Sequence, residues 1–128
     1  MIALRQLWRC PVCGNVVEVI FVGGGELVCC GQPMQLLQEN TVDASLEKHI
    51  PVVTDLGDKI EVSIGSIPHP MEEKHYITSI EVLTEKKVLR KELNPGDEPK
   101  AKFCVKMEKV LAVREYCNVH GLWKNQLK

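Results

Sequence analysis

Four of the six cysteines fall within 21 residues, as Cys10-Pro11-Val12-Cys13-Gly14 and Cys29-Cys30-Gly31, and this cluster limits what the start of the chain can become. Six cysteines also permit three disulfides, but thiols packed this tightly read as a metal site in a reducing cytosol, where disulfides are disfavoured. The CPVCG unit is a knuckle: two sulfurs two residues apart, then a glycine that allows a tight turn aiming backbone N–H groups at them. A zinc ribbon would supply a second Cys-X-X-Cys pair. Here the second pair is adjacent, so its two side chains must diverge from neighbouring backbone positions, and a distorted four-thiolate iron centre is the expected occupant.

The chain divides near residue 38. Residues 1–37 contain a strand from Asn15 to Phe21, a Gly23-Gly24-Gly25 turn and Glu26-Leu27-Val28 leading into the cysteine pair. A unit below roughly 40 residues buries too little apolar surface to fold unaided, so the metal is its core. Four thiolates leave no open position for a substrate, which keeps a purely stapling role open beside a redox one. Gln38 to His49 reads as a linker entering a loop or short helical turn. Beyond Pro51 a period-two pattern takes over: Ile60, Val62 and Ile64; Tyr76, Thr78, Ile80 and Val82; Ala101, Phe103, Val105 and Met107. Turn chemistry at Leu56-Gly57-Asp58, Thr84-Glu85-Lys86 and Asn94-Pro95-Gly96-Asp97 separates these runs, at the spacing of an all-β sandwich or barrel over residues 38–128.

Charge excludes some function classes. Lys plus Arg is 16 against 17 acidic residues in 128, and no run of five like charges occurs, so neither nucleic acid nor an anionic membrane is an expected partner. The N-terminal MIALRQLWRC lacks an apolar stretch long enough for a signal peptide or a span, and a cytoplasmic location is the default.

A second donor set lies in the larger part. In Glu115-Tyr116-Cys117-Asn118-Val119-His120-Gly121-Leu122-Trp123 a thiol and an imidazole stand three residues apart, past a strand-like run and before a glycine. The other three histidines, His49, His69 and His75, all fall at loops. Prolines on both sides of His69 fix its backbone, and a rigid loop holds an imidazole without reorganisation. Four imidazoles and one thiolate are the wrong number for a closed tetrahedral zinc site, whereas iron can use five donors and leave a sixth position open.

With these residues in view, the chain resembles the desulfoferrodoxins, the two-iron superoxide reductases. CPVCG and LVCCG resemble the desulforedoxin-type N-terminal centre; EKHIPVV, HPMEEKHYI and EYCNVHGLWK resemble the catalytic domain. The resemblance implies a small desulforedoxin-like domain followed by an immunoglobulin-like β-sandwich. It implies two non-haem irons: the first on Cys10, Cys13, Cys29 and Cys30, the second on His49, His69, His75 and His120 with Cys117 axial. It further implies one-electron reduction of superoxide to hydrogen peroxide, with electrons from rubredoxin or an NAD(P)H-dependent reductase, in a homodimer from an anaerobic or microaerophilic prokaryote.

Glu47 and Lys48 directly precede His49. Two adjacent charges in a loop are ordinarily just solvated, but beside a ligand Lys48 offers a charge that concentrates an anion. The resemblance gives Lys48 the role of attracting superoxide and ordering a proton-donating water, and Glu47 that of a sixth ligand in the resting ferric state. Cys104 reads as a small space-filler, and Trp8 and Trp123 as packing residues rather than electron relays. Two other function classes remain in view: an electron-transfer module working through the four-thiolate centre alone, and a zinc-bound structural or nucleic-acid-binding protein, against which the balanced charge argues.

Overall fold

The computed structural model describes residues 2–42, 49–65 and 70–128. It separates into two compact units, Met1–Gln38 and Glu39–Lys128, and among the described residues all regular structure is β apart from one 3₁₀ turn, Met107–Lys109.

The small unit is a pair of hairpins. Strands β1 (Leu7–Arg9), β2 (Val16–Glu18) and β5 (Gln35–Leu36) form a sheet in the order β2-β1-β5, and β3 (Val28–Cys29) pairs with β4 (Gln32–Pro33). The knuckle Cys10–Asn15 is itself the turn between β1 and β2, closed by Cys10 N–H to Asn15 O at 2.9 Å. The expected strand from Asn15 to Phe21 is only three residues long, and Ile20 and Phe21 are each 82% exposed. Buried apolar side chains here are few: Leu7, Cys10, Val19 and Met34.

The larger unit is a β-sandwich of the immunoglobulin-like kind, antiparallel except at β6. One sheet, in the order β10-β9-β12-β13-β6, uses β6 (Glu39–Asn40), β9 (Ile77–Thr84), β10 (Val88–Glu92), β12 (Val110–Cys117) and β13 (Gly121–Gln126). The facing sheet, in the order β11-β8-β7, uses β7 (Pro51–Asp55), β8 (Ile60–Ile64) and β11 (Lys100–Phe103). Between them lies the core: Ile60, Val62 and Ile64 from β8, Ala101 and Phe103 from β11, and Ile77, Ile80, Val82, Val110, Val113 and Cys117 from β9 and β12. The segment expected to be a linker differs at its start, where Glu39 and Asn40 pair in parallel with Leu122 and Trp123. Its two residues are too short and polar to show a period, and backbone pairing with β13 decides their state.

Alternation in β9 and β12 breaks at Glu81 and Arg114, buried charges on the face opposite the core. The register sets Arg90, Glu81, Arg114 and Lys124 side by side across four strands. Glu81 takes Arg90 and Arg114, each at 2.6 Å, while Glu39 takes Arg114 at 3.2 Å and Lys124 at 2.9 Å. The result is a five-residue ladder of alternating charge that joins the sheet from edge to edge.

Candidate metal centres

The four cysteines of the small unit converge, with all sulfurs within 4.8 Å of one another. Cys10 is buried on the knuckle and Cys13 exposed; backbone N–H groups of Val12 and Cys13 point at the Cys10 sulfur at 3.4 Å, and that of Asn15 at the Cys13 sulfur at 3.5 Å. The adjacent pair is solved by the other hairpin. Cys29 ends β3, while Cys30 and Gly31 are the two central residues of its turn, both in the left-handed region at φ 54° and 73°. Two consecutive positive φ values define a type I′ turn, whose twist matches the flanking strands. A non-glycine residue at the first position is strained, and this strained residue swings the Cys30 sulfur back to within 3.9 Å of Cys29.

These separations suit a metal. With metal–sulfur bonds of about 2.3 Å a tetrahedral site has edges of about 3.8 Å, and Cys13–Cys29 and Cys29–Cys30 stand at 3.7 and 3.9 Å. The Cys13 N–H, followed by that of Val12, holds the Cys10 thiol down at about 6 despite burial. Cys29 is pushed up to about 12, first by its neighbour Cys10 and then by Cys13, and Cys30 is also raised. Cys29 and Cys30, crowded by the other sulfurs, thus hold their protons until a cation replaces them.

The second cluster gathers His49, His75, Cys117 and His120, again with donor atoms within 4.8 Å of one another. Three sequence-distant elements supply it. Cys117 closes β12 inside the core, and a three-residue loop returns the chain at Gly121, whose φ of 90° completes the tight reversal. That loop turns the exposed His120 back over the thiol, placing its backbone N–H 3.5 Å and its Nδ1 3.9 Å from the Cys117 sulfur. His49, fully buried, enters just before β7 and brings its Nε2 to 3.1 Å from His120 Nδ1. His75 approaches His120 edge-on, ring centres 4.9 Å apart. Cis nitrogens on a metal at about 2.1 Å are separated by about 3.0 Å, so the His49–His120 pair fits a shared ion, and three neutral imidazoles with one buried thiolate are a donor set suited to ferrous iron.

Glu47, Lys48 and His69 lie outside the described residues. Two further residues support the cluster: Trp123, which the sequence marks only as a packing residue, and Asn118, which it does not mark at all. Trp123, 8% exposed, stacks on the His49 ring at 4.7 Å and 16°, and its indole N–H donates to the His120 carbonyl at 3.1 Å. Asn118 ties the loop that carries His75 to the turn that carries Cys117. Nothing in a lone tryptophan or an asparagine beside a turn signals such a role; the HGLW spacing was the available hint. Cys104 is exposed rather than the space-filler expected, because β11 ends at Phe103 and the next residue has left the sheet.

An all-β chain with a four-thiolate cluster in a small unit and a histidine–thiolate cluster in a sandwich is a two-centre non-haem metalloprotein. The family model described as desulfoferrodoxin matches residues 41–126, and that described as the desulfoferrodoxin N-terminal domain matches residues 4–37; the chain belongs to the desulfoferrodoxin family, whose members bind two irons. It is 54% identical over 125 residues to a desulfoferrodoxin homolog of Archaeoglobus fulgidus, covering 98% of this chain and 99% of that one. It is 51% identical to the desulfoferrodoxin of Nitratidesulfovibrio vulgaris over 93% of this chain and 94% of the other. The crystal structure of the superoxide reductase from Treponema pallidum superposes with a TM-score of 0.79 at 29% identity, covering 94% of this chain and 97% of that one.

Proposed function

We propose that this chain is a superoxide reductase: superoxide, one electron from an outside donor and two protons become hydrogen peroxide. The observation that carries the reading is the convergence of His49, His75, Cys117 and His120 at the loop end of the sandwich. In this proposal Cys10, Cys13, Cys29 and Cys30 hold one iron, and His49, His69, His75, Cys117 and His120 hold the other. Iron bound in the histidine–thiolate cluster supplies the one-electron reduction, tuned by the thiolate.

The chain's own residues do the rest. Burial of Cys117 and the His120 N–H aimed at its sulfur hold a compact, electron-rich donor inside the core. Exposure of His120 puts one edge of the cluster in solvent, where a small anion arrives. Lys48, next to His49 in sequence, is assigned the task of concentrating that anion and delivering a proton through water, and Glu47 that of a ligand in the resting ferric state. Lys48→Ala is expected to slow the bimolecular reaction roughly tenfold and flatten its salt dependence, as removal of a steering charge does; pulse radiolysis reads both.

Rubredoxin or an NAD(P)H-dependent reductase is the proposed donor. A cytoplasmic location is supported by the two thiolate-bearing clusters, whose cysteines a reducing compartment keeps from pairing as disulfides. A homodimer is supported by the apolar surface of the small unit, where Ile20, Phe21, Val22, Val16 and Val17 are all exposed. Phe21→Glu is expected to halve the mass in sedimentation equilibrium; a monomeric wild type would remove the dimer.

The test of the function is a metal count followed by a superoxide assay. Two irons per chain and peroxide formed without oxygen are expected. Oxygen evolved with the peroxide would mean dismutation, and a reducible thiolate centre inert to superoxide would make the chain an electron-transfer module.

A further inference from the structure

The loop that presents His75 is held in an unusual way. His75 donates its N–H to Glu72 O at 3.1 Å and accepts from Glu72 N–H at 2.9 Å. The two peptide groups that meet at its Cα each have a second end, the Lys74 carbonyl and the Tyr76 N–H. Both go to one side chain: Asn118 Nδ2 donates to Lys74 O at 3.1 Å, and Asn118 Oδ1 accepts from Tyr76 N–H at 2.9 Å. The Asn118 backbone N–H adds a bond to Tyr76 O at 3.2 Å. Each peptide plane flanking His75 is therefore pinned at its N–H and at its C=O, which fixes φ and ψ of His75 together. The amide is suited to this because it offers one donor and one acceptor side by side, and only one orientation satisfies both neighbours. Asn118 follows Cys117 directly, so the clamp joins the segment bearing one imidazole to the turn bearing the thiolate.

We propose that Asn118 is a positioning residue that holds His75 in register with Cys117 and His120 and thereby slows loss of iron from that centre. The proposal rests on the reading of this cluster as the iron site. A ligand held by a locked backbone returns to the metal after each transient dissociation; a ligand on a loose loop drifts away, and the ion leaves. Asn118 touches neither substrate nor metal in this role. Its side chain is exposed, so its removal opens no core cavity and leaves the sandwich intact.

The experiment uses the full-length iron-loaded protein and Asn118→Ala, challenged with a ferrous chelator. Release from the four-thiolate centre of the same chain serves as the internal reference. Loss of two hydrogen bonds is expected to speed release from the histidine–thiolate centre about tenfold, with the thiolate centre unchanged. In parallel, hydrogen exchange at the Tyr76 amide is expected to accelerate in the variant while amides of the β12 core stay protected. Unchanged release, or equal acceleration at both centres, overturns the proposal, the second because it signals general loosening. A wild type that holds iron only on its cysteines overturns the iron reading itself, and this proposal with it.

Discussion

At the scale of the residue, the ligands announced themselves and their supports did not. Cysteine and histidine are rare and chemically specific, so Cys10, Cys13, Cys29, Cys30, Cys117 and all four histidines could be singled out by type and spacing, and the structure brings all of them but His69, which lies outside the described residues, into two clusters. Trp123 could be read only as a packing residue, because an apolar aromatic on a strand looks the same whether it packs on valine or on an imidazole. Its stack on His49 and its N–H to the His120 carbonyl make separable predictions. Trp123→Phe keeps a ring against His49 and loses one hydrogen bond, and is expected to cost about 1 kcal/mol in denaturant unfolding. Trp123→Ala also loses the buried ring and is expected to cost about 3–5 kcal/mol. Equal losses in the two variants would mean that the stack contributes nothing.

At the scale of the element, period-two alternation revealed the strands that bury one face, such as β8, and blurred where both faces are covered. Along β9 the buried residues include Ile80, Glu81 and Val82 in succession, because the charge ladder occupies the face opposite the core. No local pattern can show that Arg114 will meet Glu81, 33 residues away, since that depends on register. The ladder has a consequence for mutation. Arg114 is 2% exposed, so Glu81→Ala takes from a buried cation its nearer carboxylate, leaving Glu39 at 3.2 Å, and is expected to destabilise by about 3 kcal/mol, whereas Glu81→Leu with Arg114→Leu together should cost far less; a double-mutant cycle by urea unfolding measures the difference. The outer carboxylate behaves differently. Burial alone would raise Glu39, but the hydrogen bond from Lys124 and the charges of Lys124 and Arg114 outweigh it and leave its carboxyl below the usual 4.5. A lowered folded value means stabilisation that is fully present above pH 4.5 and lost as pH falls through the folded value. With a third of the side chain in solvent, screening keeps it to about 1 kcal/mol or less. Glu39→Gln should therefore unfold more easily than wild type at pH 7 and lose that difference in strong acid.

At the scale of the whole molecule, the two units owe their order to different physics. The sandwich closes two sheets over a continuous core that includes six isoleucines and valines from β8 and β9 alone, enough for it to persist without a cofactor. The small unit, Met1–Gln38, has among its described residues four buried apolar side chains, one of them Cys10 of the thiolate cluster, and strands of two or three residues. So few contacts do not offset the conformational entropy of ordering the segment, at roughly 1–2 kcal/mol per residue, and cross-linking by a metal supplies what the core lacks. It also holds the strained Cys30 in its left-handed turn, because the bond that needs Cys30 there is the bond to the metal. Chelation should therefore act unequally. Removal of both metals is expected to collapse amide-exchange protection across residues 5–37 while β8, β9 and β12 stay protected, and the heat-unfolding transition of the sandwich should shift by only a few degrees. Restoring iron should return protection to the small unit in one cooperative step, since no part of it has a core of its own. If the small unit stays protected in the metal-free chain, its stability lies in the β1–β2–β5 sheet, and the metal is a passenger there.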